Sequence, residues 1–366
     1  MSEVEHTAAH TPSAPGSLMR REIYEQPEVL RCLLRSAGPT LDSVAARASA
    51  CALAMLAARG SSDNASTYGK YLLEGVAGLP TSLASPSLYT LYGAPPRLNN
   101  ALVVGVSQSG AAADVSQVLV EARRQGALTL GVTNVAGSLL AQTAEHVVLL
   151  EAGPERALAA TKTVTAQCLV YAMLAARMAG GGLALPESAL ADVPAHVAAI
   201  LDRAEDIARM ADRWAARPLQ RVAVLGRGFA YGAAQEIALK LKETCFITAE
   251  AYSPADFQHG PLAMIEPGYA VLLLLNHDAA LETTLALIEP LQQRGADLMV
   301  LATLEAAASL PAGVGNIAVL TVDAKHALLS PISFIVAGQL FALRWSLAHG
   351  HNPDLSRGLS KVTVTV

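Results

Sequence analysis

A repeated alternation of short apolar runs with longer helical patterns most constrains the fold of this 366-residue chain. Apolar runs of strand length occur near residues 52–58, 101–106, 127–133 and 146–150, and again near 221–225, 270–275, 296–302 and 317–322. Strands that are apolar along their whole length and alternate with helices are typical of parallel sheets with helices on both faces. We therefore expect α/β units whose strands are joined by right-handed crossovers.

The two halves of the chain keep a common register, which indicates an internal duplication. Ser107 and Asn276 each end a strand and are separated by 169 residues (276 minus 107), and Asn134 and Thr303 repeat that separation (303 minus 134). We predict two doubly wound, parallel-sheet domains of the Rossmann-like, flavodoxin type. The expected boundaries are a disordered tail over 1–17, an N-terminal helical segment over 18–44, a first domain over 45–190, a linker helix over 191–214, a second domain over 215–350 and a C-terminal active-site tail over 351–366.

Composition and charge argue against several classes of protein. With 52% apolar and 16% charged residues, the chain can bury a large core. Its formal net charge of −5 argues against a nucleic-acid or membrane-surface binder, and the apolar runs are shorter than a bilayer span. The four cysteines share no CxxC spacing and accompany no histidine cluster, so we expect free thiols, a cytoplasmic location and no metal or other cofactor.

Two hydroxyl-rich loops follow the first two predicted strands. Residues 59–62 read Arg-Gly-Ser-Ser, and residues 107–110 read Ser-Gln-Ser-Gly. Ligands of doubly wound sheets bind beyond the carboxyl ends of the strands, where helix N-termini offer unpaired N–H groups to anions. The loops therefore predict a phosphate cradle, while ordinary N-capping by serine remains the alternative that the residues leave open.

A second group of candidate residues lies in the second half of the chain. Glu236, Lys240 and Glu243 are spaced i, i+4 and i+7, which places them on one helical face. This spacing fits either a solvated face with an ion pair or a site that handles protons. His259 is flanked by Gly-Pro soon after that helix and is an acid–base candidate. Lys361, five residues from the C-terminus, would by itself be read as a surface lysine.

Taken together, these segments resemble the double sugar-isomerase (SIS) domain family, and within it the isomerase half of the glutamine–fructose-6-phosphate aminotransferases. The resemblance covers about residues 20–366 and keeps the family's order. The matching segments are 22–27 (EIYEQP), 59–62 (RGSS), 107–110 (SQSG), 161–167 (TKTVTAQ), 238–243 (ALKLKE), 249–252 (AEAY), 259–262 (HGPL) and 359–361 (LSK).

The resemblance implies a hexose 6-phosphate substrate and a role for each candidate residue. It implies that the phosphate is held by Ser62, Ser107, Gln108 and Ser109. It implies that the substrate or its loops are positioned by Gly60, Ser61, Thr161 and Arg357. Glu243 would move a proton between C1 and C2, with Lys240 and Glu236 in support. Lys361 would form or assist an imine, and His259 would assist ring opening from the neighbouring subunit of a homodimer.

Two departures from the aminotransferase pattern direct the functional hypothesis. We expect no glutaminase domain, because Met1 and Ser2 lead into a short tail. Ala111 and Ala112 replace an acidic residue and a threonine that follow the phosphate loop in the family. The resemblance then implies a glucosamine-6-phosphate deaminase, which forms fructose 6-phosphate and ammonia. An aminotransferase-type isomerase, a fructosamine-phosphate deglycase and a non-catalytic sugar-phosphate sensor remain the alternatives.

Overall fold

Two five-stranded parallel sheets form the framework of the protein, in a computed structural model that describes residues 14–311, 319–322, 327–355 and 357–358. The first sheet contains β1 (Leu53–Ala57), β2 (Thr81–Leu83), β3 (Ala101–Val106), β4 (Leu128–Thr133) and β5 (His146–Leu149), in the order β2-β1-β3-β4-β5. The second contains β6 (Arg221–Leu225), β7 (Thr248–Tyr252), β8 (Ala270–Leu275), β9 (Asp297–Thr303) and β10 (Val319–Val322), in the order β10-β9-β8-β6-β7. Numbered from its own first strand, each sheet has the flavodoxin-type order 2-1-3-4-5. The predicted fold class is confirmed.

Helices cover the sheets and join them. In the first half they are α1 (Ser17–Tyr24), α2 (Gln26–Ser36), α3 (Gly38–Ala48), α4 (Ser61–Gly75), α5 (Ser87–Thr90), α6 (Ala113–Arg124), α7 (Leu139–Thr143), α8 (Lys162–Met178) and α9 (Glu187–Leu190). In the second half they are α10 (Val193–Asp202), α11 (Ala204–Ala215), α12 (Ala230–Cys245), α13 (Pro254–Gln258), α14 (Leu281–Leu285), α15 (Ile288–Gln293), α16 (Leu304–Ala307) and α17 (Ser330–Ala348), with a 3-10 turn at Pro261–Met264.

The sequence predicted eight of the ten strands described here, including the edge strands β5 and β10, and the two that it missed, β2 and β7, also lie at sheet edges. Every residue of β3 and of β8 is buried, which explains their continuous apolar sequences. In contrast, β2 exposes two of its three residues, and β7 mixes exposed, buried and half-buried positions. Neither β2 nor β7 therefore carries the apolar run by which the other strands were recognised.

The connection between the domains differs from the expected single linker helix over 191–214. The structure has two helices there, α10 and α11, because the backbone leaves the helical region at Arg203 (φ −100°, ψ 17°). Glu205 and Asp206 lie in the first turn of α11, where negative charge stabilises the start of a helix. Arg203 also pairs with Asp206 at 3.0 Å. These interactions favour a new helix start over continuation of the old one.

The start of the chain also differs from expectation where it is described. Residues 14–17 were predicted to belong to a disordered tail, but Ser17 begins α1 and the Gly16 N–H donates to Asn352 Oδ1 at 3.0 Å. This long-range hydrogen bond fixes the entry into α1. Residues 1–13 lie outside the described residues.

Helix α12 packs across the domain boundary against α4. At the contact, a Cβ placed on Gly232 would lie 2.7 Å from the Asn64 carbonyl oxygen and 3.0 Å from the Tyr68 nitrogen. The lack of a side chain at Gly232 therefore allows the two helix backbones to approach closely. This approach brings the charged face of α12 to the beginning of α4.

Helix α17 is long and apolar enough to cross a bilayer, a feature that the strand-length runs did not predict. However, 83% of its apolar window is buried inside the protein, and it packs against α11 and α12. Packing in the core therefore accounts for its apolar sequence.

Candidate functional site

The predicted charged face of α12 is buried against the start of α4. Glu236 and Lys240 are fully buried, whereas the Glu243 side chain is 22% exposed. The Ser61 hydroxyl donates to Glu236 Oε1 at 3.0 Å, and the Asn64 amide donates to Oε2 at 2.8 Å. Lys240 Nζ donates to Glu243 at 2.6 Å and to Ser61 Oγ at 3.2 Å, and lies 3.3 Å from Glu236 Oε1. We call these five residues the interdomain cluster, and the full burial of Glu236 and Lys240 rules out a solvated helix face.

Burial and neighbouring charges shift the pKa values of Glu236 and Lys240 in the interdomain cluster. Burial raises the pKa of Glu236, although Lys240, Asn64 and Ser61 act in the opposite direction. Burial by itself would lower the pKa of Lys240, but the charges of Glu236 and Glu243 outweigh it and raise that pKa overall. Lys240 therefore remains an ammonium ion and joins the two carboxylates. Of these carboxylates, Glu243 is the one that solvent or a ligand can reach.

The predicted phosphate loop, residues 107–110, is a tight turn directly after β3. The Gly110 N–H donates to the Ser107 carbonyl oxygen at 3.2 Å and to its hydroxyl oxygen at 3.1 Å. Ser107 is buried, while Gln108 and Ser109 are half-buried. Ser109 Oγ accepts the Ala111 N–H at 3.3 Å. The loop therefore keeps two of its side chains within reach of solvent at the carboxyl end of the sheet.

Helix α6 begins just beyond this loop without a side-chain cap. Its N-cap residue is Ala112, which has no hydroxyl or carboxylate to accept the first N–H groups of the helix. An uncapped helix N-terminus attracts anions through its N–H groups and its dipole. The replacement noted in the sequence thus leaves the N-cap position without an acceptor, while the Asp114 carboxylate in the first turn accepts the Val115 N–H at 2.9 Å.

The loop at the start of α4 lies beside the phosphate loop, because β1 pairs with β3. Ser62 follows in the first turn of α4 and is buried. Arg59 Nε donates to Asp114 Oδ2 at 2.8 Å, and the Asp114 side chain is only 2% exposed. This ion pair ties the end of β1 to the first turn of α6. The predicted phosphate residues therefore lie on two adjacent and linked loops.

Substituting alanine for Gly110 is expected to disrupt the phosphate loop. Gly110 has φ +62°, and an added Cβ would lie 2.1 Å from Ser138 Oγ and 2.8 Å from Thr133 Oγ1. We expect a loss of about 1–3 kcal/mol in the free energy of unfolding, together with weaker sugar-phosphate binding. Urea unfolding and titration calorimetry would measure the two effects. The matched control is Gly137→Ala, where no atom lies within 4 Å of the added Cβ. Equal effects of the two substitutions would contradict this account.

Two other predicted positioning residues have defined surroundings. Thr161 is the buried N-cap residue of α8, and its N–H donates to Glu155 Oε1 at 2.9 Å. Gly60 is the N-cap residue of α4 and has φ +58°, which turns the chain from β1 into the helix. Thr161 thus orders the start of α8, while Gly60 orders the loop that carries Ser61.

The remaining predicted residues lie outside the interdomain cluster. His259 follows α13 in an exposed position, and its ring has no hydrogen-bond partner among the described residues. The Arg357 guanidinium lies 4.9 Å from the ring centre of Phe246, the C-cap residue of α12. Lys361 lies outside the described residues. The roles of these three residues, like those of the other predicted site residues, stay predictions.

Asn64 is a member of the site to which the sequence had assigned no role. Its position three residues after Ser61 places both on one side of α4, which was the available signal. Its partner Glu236 is 172 residues away, so the hydrogen bond between them could not be read from local spacing.

A polar cleft of about 390 Å³ opens beside the interdomain cluster, between the start of α4, α12 and the end of β7. Its lining includes Asn64, Lys242, Glu250 and Tyr252. The Tyr252 hydroxyl donates to Glu250, and burial raises the pKa of Tyr252 to about 12, so it remains a proton donor at neutral pH. Across the described ranges, no three His, Cys, Asp or Glu residues are grouped so as to hold a metal ion.

The sequence of this chain is similar to that of known proteins. The SIS domain family model matches residues 52–177 and 217–344. Glutamine–fructose-6-phosphate aminotransferase (isomerizing) of Thermus thermophilus is 35% identical over 360 residues, which cover 95% of this chain and 58% of that protein. The chain thus spans less than two thirds of the length of this relative.

Two solved structures are also similar. A phosphosugar isomerase of Silicibacter pomeroyi, whose assignment its authors marked as provisional, superimposes with a TM-score of 0.81 at 36% identity, covering 92% of this chain and 99% of that one. The C-terminal domain of glucosamine-fructose-6-phosphate aminotransferase from Francisella tularensis gives a TM-score of 0.83 at 26% identity, covering 92% and 98%.

Proposed function

This chain belongs to the SIS domain family, and from that membership we propose that it is a sugar-phosphate isomerase that deaminates glucosamine 6-phosphate. The proposed reaction converts glucosamine 6-phosphate and water to fructose 6-phosphate and ammonia. The observation that carries the proposal is the interdomain cluster, which holds the partly exposed Glu243 carboxylate against the Lys240 ammonium. A single carboxylate that reaches both carbons suits a proton transfer between C1 and C2.

The steps balance without a redox cofactor. After ring opening, a base removes the proton from C2, and a proton is returned to C1. Oxidation at C2 is thereby offset by reduction at C1, and the amine-bearing C2 becomes an imine. Water then hydrolyses that imine to the ketone and releases ammonia. An enzyme for this sequence needs a proton carrier, a phosphate anchor and a group that promotes ring opening.

We assign these tasks to the residues of this chain as proposals. The phosphate is bound by Ser62, Ser107, Gln108 and Ser109, on the two loops that follow β1 and β3. Glu243 carries the proton. Lys240 and Glu236 hold the Glu243 carboxylate in place, because Lys240 pairs with both glutamates. Lys361 forms or assists an imine with the open-chain sugar. His259, exposed after α13, promotes ring opening in the partner subunit of a cytoplasmic homodimer.

Related reactions use the same proton transfer and differ in the nitrogen donor or acceptor. Two of the three proteins named above are aminotransferases, which favours amino-sugar chemistry at C2 over a plain aldose–ketose exchange. Release of ammonia needs only water as its co-reactant, whereas synthesis needs a supply of ammonia. A deglycase would release an amino acid in place of ammonia. A sugar-phosphate sensor would not require the ion pair between Lys240 and the partly exposed Glu243.

The proposed function predicts ammonia release from glucosamine 6-phosphate but not from unphosphorylated glucosamine, because the phosphate loops supply the binding energy for orientation. The reaction can be followed by NMR together with an enzyme-coupled ammonia assay, at neutral pH and without added metal. Fructose 6-phosphate and ammonia should form in equal amounts. Amino-acid release from fructosamine phosphates would indicate the deglycase. Calorimetric binding of sugar phosphates without any turnover would indicate the sensor and overturn the proposal.

A further inference from the structure

Asn134, the first residue after β4, connects the phosphate loop to the loop between β5 and α8. Its backbone N–H donates to the Gln108 carbonyl oxygen at 3.0 Å. Its side-chain amide donates to the Gly153 carbonyl oxygen at 2.7 Å, and its Oδ1 accepts the Ala152 N–H at 2.9 Å. The side chain of Asn134 therefore binds residues that follow β5, while its backbone binds a residue that follows β3.

The hydrogen bonds from the Asn134 side chain hold a strained turn. Glu151, directly before Ala152, has φ +49°, a left-handed conformation that is unfavourable for a residue with a long side chain. Gly153 has φ +65°, which glycine adopts without this strain. A strained residue persists only where the surrounding contacts fix the chain. The Asn134 side chain supplies two such contacts, on the first and second residues after Glu151.

The loop between β5 and α8 is also held at its middle and at its end. The Glu22 carboxylate of α1, which is fully buried, accepts the Arg156 N–H at 2.5 Å and the Ala157 N–H at 3.2 Å. Near the start of α8, Glu155 Oε1 accepts the Thr161 N–H at 2.9 Å. Side chains thus bind the backbone at three places in a loop that has no helix or strand of its own.

This loop lies at the edge of the sheet where ligands of the fold bind. Such ligands bind beyond the carboxyl ends of the strands. Because β3, β4 and β5 are adjacent and parallel, the loops that follow them lie at one edge of the sheet. The phosphate loop follows β3, and Thr161, a predicted positioning residue, ends the loop after β5. The loop after β5 is therefore one of the surfaces available to a sugar whose phosphate is bound at residues 107–110.

We propose that Asn134 is a positioning residue, which fixes the loop after β5 against the phosphate loop and so orients a bound hexose phosphate. The inference rests on the proposed function, because it assumes that residues 107–110 bind the phosphate. Asn134 acts through the backbone of residues 152 and 153 and through the Gln108 carbonyl group. Removing its side chain leaves the backbone bond to Gln108 in place, so the loop after β5 is released while the phosphate loop keeps its shape.

The first arm of the test compares two ligands, inorganic phosphate and fructose 6-phosphate, by titration calorimetry. In Asn134→Ala, affinity for inorganic phosphate should be unchanged, whereas affinity for fructose 6-phosphate and kcat/KM for glucosamine 6-phosphate should each fall about tenfold, because small displacements of orienting groups are costly. The matched control is Asn99→Ala, at an exposed position before β3, which should bind both ligands as the wild type does. An equal loss for both ligands, or no loss for either, would overturn the positioning role.

A second pair of variants separates the held turn from a general loss of stability. Glycine adopts a positive φ without strain, whereas alanine does not. If Asn134 acts by holding the turn, adding Glu151→Gly to Asn134→Ala should restore part of the affinity for fructose 6-phosphate, and adding Glu151→Ala should not. Equal affinities of the two double variants would contradict this role. Thermal unfolding of each variant shows whether the compared proteins are folded.

Amide hydrogen exchange, followed by mass spectrometry, tests the loop independently of catalysis. Exchange in residues 151–157 should be several-fold faster in Asn134→Ala than in wild type or Asn99→Ala, while exchange in residues 107–110 should not change. Unchanged exchange in residues 151–157 would overturn the proposal. If exchange and affinity for fructose 6-phosphate change as expected but the wild-type protein releases no ammonia from glucosamine 6-phosphate, the positioning role is supported and the proposed reaction fails. Full turnover by Asn134→Ala would leave the proposed reaction intact and overturn the positioning role.

Discussion

Replacing Glu243 with glutamine is expected to lower kcat on glucosamine 6-phosphate by a factor of about 10² to 10⁴, the usual contribution of a positioned acid–base group. Glutamine keeps the size of the side chain and can still accept a hydrogen bond from Lys240, but it cannot take up the C2 proton. Affinity for the substrate should change little, because the phosphate loops are separate from Glu243. Initial-rate kinetics and titration calorimetry would separate the two quantities.

A matched control for this substitution is Glu266→Gln. Glu266 lies in the same domain, and its side chain is 64% exposed in a surface pair with Arg221. Such exposed pairs contribute about 0–1 kcal/mol, so activity and stability should both stay near wild type. Wild-type turnover by Glu243→Gln would show that another group carries the proton. Equal losses in the two variants would show that the effect is not specific to the site.

Replacing Lys240 with methionine is expected to cause the largest loss of stability, about 3–5 kcal/mol in the free energy of unfolding. Lys240 is fully buried between two carboxylates, and Glu236 beside it is fully buried as well. Removing the ammonium leaves Glu236 with Ser61 and Asn64 as hydrogen-bond donors but without a counter-ion. Urea unfolding, monitored by circular dichroism, would measure the loss.

Two further variants make this prediction specific. Lys242→Met removes an exposed lysine two residues along the same helix and should stay within about 0.5 kcal/mol of wild type. Adding Glu236→Gln to Lys240→Met removes the uncompensated charge and should recover part of the stability. A loss in Lys240→Met no greater than in Lys242→Met would contradict the buried ion pair.

The parts of the fold that could be predicted are those fixed by local sequence. The apolar runs of β3 and β8 correspond to fully buried strands, and the turn residues of 107–110 follow β3 as expected. The edge strand β7 was missed because its burial is uneven and its sequence has no apolar run. The break between α10 and α11 at Arg203 was missed because the sequences on both sides of it have helical patterns, with no helix-breaking signal between them.

For the site, the sequence predicted which residues share a face but not what that face contacts. The spacing of Glu236 and Lys240 fits a solvated surface as well as a buried one. The face is buried because α4 approaches closely at Gly232 and because the Asn64 amide donates to Glu236. Both contacts depend on long-range packing. The Asp354 carboxylate accepts the Met19 N–H at the start of α1 and so joins the two ends of the chain. Local sequence patterns could not predict this contact either.

The most direct test of the central claim is to follow the fate of the C2 hydrogen. Glucosamine 6-phosphate labelled with deuterium at C2 would be incubated with the protein and observed by NMR. The account predicts that the wild-type protein removes the C2 deuterium as fructose 6-phosphate forms, and that Glu243→Gln leaves the label in place. Retention of the deuterium at C2 by the wild-type protein, or its removal from C2 at the wild-type rate by Glu243→Gln, would contradict the account.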